Sequence, residues 1–433
     1  MSKQSLGVFS LTALVVASMI GAGVFTSSGF LIADLPDRRW VLAAWLVGGI
    51  IAYLGAHSYG LLAVRLTENG GEYLYLSRFV HPAFGFVAGW VSLLAGFTGA
   101  AALAAISFES YVAPTENTGL PQGIVAIVLV LIATLTHAFH TRRGAVAQGI
   151  FVAIKLGLLL LFIVFSFSQM QSWNSTALSS ELNNTTNHWP SFFVALTWIS
   201  LSYSGFNAAV YVAGEATGGA KVVSKAMRLA TVTVAIIYLL LNWIFLYAPE
   251  ANTISGQKKV AAIAAEAIGG DSLSVVVSGI IGLGLATSVS SILLAVPRVY
   301  DKMARDGLFP NGLRSSSDPP TKAILLQGLA ICVLIPLTGL QQLLFYLGST
   351  LLVCSAATVA TLLVTKADEA TPSHWRSKVI PGLYVGAVIL VAGVTAWTRP
   401  FEMTGLLATI VSGLVVFALQ RLIQSPKDHS NTQ

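Results

Sequence analysis

The sequence predicts an all-α polytopic membrane protein of about twelve transmembrane helices, and three observations predict it. Apolar runs of about 20 residues, the length that crosses a hydrocarbon core, recur along the whole chain. Only 10% of the 433 residues are charged while 55% are hydrophobic, against about 25% charged in a soluble domain. Lys and Arg crowd alternate connections, as they do when successive loops lie on opposite sides of a membrane. The mean hydropathy of +0.77 agrees. No soluble domain remains once the runs are removed, so residues 1–433 read as one transmembrane domain.

The runs fall at 6–33, 40–64, 83–112, 121–140, 145–168, 191–216, 226–248, 273–303, 321–338, 341–365, 379–397 and 403–422. The first enters behind Lys3 and is too long, with a matching stack behind it, for a cleaved leader. It emerges at Arg38 and Arg39, and the second returns to Arg65 and Arg78. The fourth comes back to Arg142 and Arg143, and the fifth leaves again for a polar loop at 169–190. The sixth returns to Lys221, Lys225 and Arg228, and the seventh leads out to the loop at 249–272, with Lys258 and Lys259. The eighth ends among Arg298, Lys302 and Arg305, the tenth at Lys366, and the eleventh reaches Arg399 before the twelfth closes at Arg421. Of the 24 Lys and Arg, eighteen thus fall on one side, five on the other, and one, Lys155, inside a span. The positive-inside rule then puts both termini in the cytoplasm, with an even number of spans.

That rule also accounts for the net charge of +6 and the pI near 9.3, so no nucleic-acid partner is implied. Asn174, Asn183 and Asn184 begin Asn-x-Ser/Thr triplets in the 169–190 loop, a pattern that recurs by chance. Cys332 and Cys354 both fall within spans, where packing is their expected role, and no disulfide-linked ancillary subunit is expected. No metal-ligand spacing, nucleophile with its base, or phosphate loop occurs, so neither catalysis nor a cofactor or metal is expected.

Glycine is a poor helix former, yet the first span carries Gly21, Gly23 and Gly29 among small residues and hydroxyls in "ASMIGAGVFTSSGF". A second interruption, "SLSYSGFNAAVY", lies at 200–211 inside the sixth span. A lone Gly often serves only close helix packing. Spans one and six, however, are corresponding members if the chain is built of two five-span halves, 1–168 and 191–365, with two further helices over 379–422. Interrupted spans at matching positions of inverted halves point to a transporter's central site.

These stretches resemble the amino acid–polyamine–organocation (APC) permeases. "MIGAGVF" is similar to the family's Gly-x-Gly-Ile/Val-Phe signature in helix one, and "ENGGEYLYLSRFVHPAFGFVAGW" at 68–90 resembles its segment after helix two. "FVAIKLGLLL" at 151–160 resembles the fifth helix of members that carry a lysine there. "YSGFNAAVYVAGE" at 203–215 resembles the broken sixth helix, and "VPRVYDKMARDGLFP" at 296–310 the run after helix eight. The resemblance covers most of residues 6–365 and implies the LeuT-type five-plus-five inverted repeat.

An unwound helix at mid-membrane frees amides on one side and carbonyls on the other, which suits a zwitterion. The positive end of the second half-helix, at Ala22, Gly23 and Val24, suits a carboxylate, with Gly23 letting it reach the backbone. The resemblance implies that Met19, Leu201 and Ser204 supply carbonyls to the ammonium, with Gly21 and Gly205 permitting the turns; Ile20 and Ser202 complete the two breaks. Tyr203, Phe206, Phe25 and Trp198 stand near enough to wall or gate a pocket, although packing suits Trp198 better. No Asp or Glu lies within the breaks, which argues against dibasic substrates, and no Lys or Arg, which argues against acidic ones. A neutral L-amino acid is preferred.

Lys155 lies deep in the fifth span, where a charge costs at least ~2.5–3.5 kcal/mol. The resemblance implies that it occupies the place of the sodium ion in sodium-coupled relatives, with carbonyls near Gly21 and hydroxyls of 287–291, Ser290 or Ser291 favoured, as partners. The expected carrier is sodium-independent, an exchanger or proton-coupled, working by alternating access. Glu72 and Glu215 are expected to organise inner loops with Arg and Lys, as are Arg298, Arg305 and Asp306, and Glu109 to face water at an outer end. His57 reads as a hydrogen-bonded packing residue, and His137 and His140 approach an inner helix end. The alternatives are a polyamine or organic amine carrier, which should add acidic residues to the pocket, and an amino-acid-binding membrane sensor, which normally adds a longer tail than "SPKDHSNTQ". Short loops favour a bacterial inner membrane.

Overall fold

The computed structural model describes residues 6–35, 37–114, 119–139, 144–173, 188–305, 320–365 and 376–424. Arg142, Arg143, His140, Asp306, the triplets at Asn174, Asn183 and Asn184, the tail from 425 and the side chains of Arg298 and Arg305 lie outside the described residues. Among the described residues, eight helices are long and apolar enough to cross a membrane; one bent pair and three shorter apolar helices bring the spans to the expected twelve. The chain is an all-α, multi-pass membrane protein.

The first span is Val8–Met19 followed by Gly23–Asp34, bent by 43° at the break. The second is Arg38–Arg65, and a short helix, Gly71–Phe79, precedes the third. The third, Pro82–Val112, widens into a π-helix over Ser92–Gly99, which the sequence did not suggest. The fourth and fifth are Ile124–Phe139 and Gly144–Ser168. The sixth runs as Trp189–Tyr203, breaks, and resumes over Ala208–Glu215 as the tighter 3₁₀ form rather than the expected α-helix. The seventh is Gly219–Tyr247, the eighth Val260–Arg305, and the last four are Thr321–Leu337, Leu340–Val364, Arg376–Thr398 and Thr404–Gln424.

The connection at 249–272, expected to be a loop, is mostly helical. Ala251–Ile254 forms one turn, and the eighth span starts at Val260 and bends at Gly269 and Gly270. Its tip folds onto the first span, where the Gly256 amide donates to the Gly29 carbonyl (2.8 Å). A side chain at Gly29 would overlap the Gln257 carbonyl, so this glycine exists for close approach. Glu109 is buried rather than in water; its carboxylate accepts from the Gly123 (2.7 Å) and Ala126 (2.9 Å) amides and caps the fourth span.

Spans one, two and seven pack together, the sixth lies against the second and tenth, and the third against the eighth. The first and sixth are also joined at one end, where the Leu6 amide donates to Glu215 (2.9 Å) and the Thr217 amide to Leu6 (2.9 Å). Only 22% of the twelfth span's apolar window is buried, against 61% of the broken sixth's, so the last helix is peripheral and the sixth-span break central.

Candidate substrate site

The two breaks line one cavity of ≈ 560 Å³. At the first, Ile20 leaves the helical region (φ −78°, ψ 88°), the Gly21 amide turns back onto the Met19 carbonyl (2.9 Å), and a new helix starts at Gly23. The leading amides of a helix have no carbonyl one turn behind them. Those of Gly23 and Val24 therefore head the second half-helix at its positive end. Thr26 and Ser27 turn their hydroxyls back onto the Ala22 (3.0 Å) and Gly23 (2.6 Å) carbonyls.

At the second break Ser204 is extended (φ −59°, ψ 144°) and Gly205 adopts φ +100°, which an L side chain rarely tolerates. A Cβ there would also lie 2.8 Å from the Ser18 carbonyl oxygen. The breaks touch: a methyl on Gly23 would overlap Ser202, whose buried hydroxyl has no hydrogen-bond partner.

Met19, Ile20, Gly21, Ala22 and Gly23 line the cavity, as do Leu201, Ser202, Ser204, Gly205 and Phe206. Val24 and Tyr203, also expected at the site, do not. Val24 is fully buried in the core, and Tyr203 points behind the break, donating to the Trp45 carbonyl (3.0 Å) and packing on Tyr238. Phe25 is buried too, and Trp198 packs edge-on against Phe30. Of the carbonyls expected to meet an ammonium, that of Met19 already accepts from Gly21 and Tyr238, and that of Leu201 from the Ser204 amide (3.0 Å).

The Lys155 ammonium donates to the Ile20 carbonyl (2.5 Å) at the first break, and its stem passes Gly284 of the eighth span. Its expected hydroxyl partners are engaged elsewhere. Ser290 pairs with His137 of the fourth span (2.7 Å), because it faces a different side of the helix, and Ser291 donates to the Thr287 carbonyl (2.7 Å) while still lining the cavity.

Three features were not foreseen. Tyr238 of the seventh span places one hydroxyl between the Met19 (2.7 Å) and Ser202 (2.9 Å) carbonyls, clamping the two broken spans together. A buried tyrosine usually finds a polar partner, so its presence in an apolar run was a usable but unspecific signal. The π-helix turns Ser92, Gly96 and Phe97 into the cavity, and such bulges are frequent at functional sites. Glu72, expected to pair with Arg or Lys in an inner loop, is instead buried against the cavity. It accepts from Tyr59 (2.8 Å), Asn207 and Tyr211.

The cavity opens on one side. Every residue from Gly23 to Ile32 is buried, whereas Leu14 and Ser18 of the first half-helix are exposed and line it. No group of His, Cys, Asp and Glu among the described residues has metal-binding geometry.

A family model described as amino acid permease matches residues 6–420. The large neutral amino acids transporter small subunit 2 of Mus musculus is 25% identical over 96% of this chain and 81% of its own length. The serine/threonine exchanger SteT of Bacillus subtilis (strain 168) is 26% identical over 71% of this chain and 70% of its own. The high-affinity methionine permease of Saccharomyces cerevisiae is 26% identical over 73% of this chain and 57% of its own.

Proposed function

The chain belongs to the amino acid permease family, and from that premise we propose that it is a secondary active transporter of neutral L-amino acids working by alternating access. One observation carries the reading: two spans broken at mid-length line a single cavity, with helix-leading amides on one side and break carbonyls on the other. The substrate carboxylate binds at Ala22 and Gly23, by backbone alone, and its ammonium at the carbonyls of the sixth-span break, Ser204 foremost. Relatives named for neutral amino acids, for serine and threonine, and for methionine support the substrate class.

Lys155 fixes a positive charge on the first break, and in this reading it stands in for a coupling cation, so transport runs without sodium. Exchange is favoured over proton symport by the relative named as an exchanger. The two five-span halves, 1–168 and 191–365, carry the breaks, with 379–422 appended. With both termini cytoplasmic in a cell membrane, the cavity faces inward, on the side of the first half-helix. Cys332 and Cys354 both sit in spans, which supports a carrier without a disulfide-linked subunit, even though one relative is named a small subunit.

The test is uptake of radiolabelled L-amino acids into proteoliposomes, with empty or amino-acid-loaded lumens, in sodium or choline, with and without a pH gradient. Uptake that requires internal amino acid and ignores sodium is the expected result. Sodium-dependent uptake overturns the reading of Lys155, and absence of any amino acid uptake overturns the function in favour of an amine carrier or sensor.

A further inference from the structure

Glu72 faces the cavity with no ion-pair partner among the described residues, and we propose that it receives a positively charged substrate side chain: the cavity takes L-amino acids ending in an ammonium or guanidinium group as well as neutral ones. The inference rests on the reading of this cavity as an amino acid site.

The carboxylate is placed by the backbone. Gly70 (φ +153°) and Gly71 (φ +58°) turn the chain into the short helix that begins the Gly71–Phe79 segment. A side chain on Gly71 would overlap the Tyr211 ring, so the glycines bring Glu72 against the second half of the sixth span. There the carboxylate is buried and lines the cavity.

Its partners are all uncharged. One oxygen accepts from Tyr59 (2.8 Å) and Asn207, the other from Tyr211. An ionised carboxylate has about four acceptor positions, so three donors leave one open. Ion pairs among the described residues join Arg39 to Asp37, Arg78 to Glu68, and Arg399 to Asp34 and Glu402, and none of these involves Glu72. A buried charge without a counter-charge is costly, and a cationic substrate group supplies one.

Reach and polarity both fit. Asn207, which touches Glu72, lies two residues beyond Gly205, and two peptide units span at most about 7 Å. Glu72 and both breaks line the same cavity, so a substrate with its α-groups at the breaks can extend an unbranched chain, as in ornithine, lysine and arginine, toward Glu72. The cavity's lining includes two side chains of the Lys, Arg, Asp and Glu class, Lys155 at the first break and Glu72 beyond the second. A dibasic amino acid has the matching order, carboxylate toward one end and cation toward the other.

The experiment measures displacement of a bound radiolabelled neutral L-amino acid from the purified protein by L-lysine and by L-norleucine, the same chain without its terminal ammonium. L-lysine is expected to compete at least as well as L-norleucine. Glu72→Gln should shift the ratio of their inhibition constants against lysine by about tenfold, the worth of one hydrogen bond to a charged group. Glu72→Asp, which keeps the charge, should shift it less. Failure of L-lysine to compete with the unaltered protein overturns the proposal while leaving neutral transport standing. An unchanged ratio in Glu72→Gln overturns the role of Glu72, and binding of neither class overturns the amino acid site itself.

Discussion

The first and sixth spans are both broken at mid-length, but different physics breaks them. At the sixth the cause is local: Gly205 sits at φ +100°, a torsion that L side chains avoid, and the Ser18 carbonyl occupies the place of a side chain. At the first, Gly21 has no positive φ, and a Cβ there would meet nothing within 4 Å. That break is held from outside, by the Lys155 ammonium on Ile20 and the Tyr238 hydroxyl on Met19. One interruption is encoded where it occurs, and the other in the fifth and seventh spans. The difference separates a kink set by its own glycine from one set by contacts with distant spans.

Gly205→Ala should therefore have the largest effect. It incurs about 1–3 kcal/mol of backbone strain, and the overlap is with backbone, which cannot swing aside. Transport in proteoliposomes is expected to fall by at least about tenfold for each 1.4 kcal/mol of that strain expressed in the transport barrier, with a lower yield of monodisperse protein. Normal transport by this variant would remove the torsional account of the sixth-span break.

Lys155→Gln ranks second. The amide can still donate to Ile20 but carries no charge, and hydrogen bonds from charged groups are worth about 1.5–3 kcal/mol against about 1 for neutral ones. Transport should drop about tenfold or more without gaining sodium dependence. Recovery of transport in sodium but not choline would show that a sodium ion can fill the vacated place, and would sharpen the comparison.

Tyr238→Phe comes third. It removes one hydroxyl shared by the Met19 and Ser202 carbonyls, and Met19 keeps its bond from Gly21, so about 1 kcal/mol is at stake. The expected readout is a loss of thermal stability by a few degrees, with transport reduced less than in Lys155→Gln. An equal loss at both sites would mean that the tyrosine holds the first break as firmly as the lysine does.

These unequal sources explain what could be read from the sequence. Apolar run length gave all twelve spans to within a few residues in most cases, because membrane thickness fixes helix length. The two breaks were visible because glycine and hydroxyl residues are conspicuous in an apolar run. The side from which each residue is seen was not visible. Tyr203 and Val24 follow cavity-lining neighbours yet face the core, since one helical step turns a side chain by about 100°. Ser290 and Ser291 split for the same reason, one to His137 and one toward the cavity. Glu72 was misread because its distance in sequence from Asn207 and Tyr211 hides a contact made through the Gly70–Gly71 turn.

Gly21→Ala should have the smallest effect on folding and is the most informative about the ligand. The torsion permits alanine and the methyl enters open space, so yield and thermal stability should match the parent. That open space belongs to the cavity between the two breaks. If a substrate carboxylate approaches the backbone here, the methyl stands in its way, and KM should rise several-fold while the maximal rate stays close to the parent's, the mark of lost binding common to ground and transition states. A variant with unchanged KM would move the carboxylate away from the first break. Its remaining anchor would then be the Lys155 side of the cavity, and close packing would still explain Gly23 and Gly29 but not Gly21.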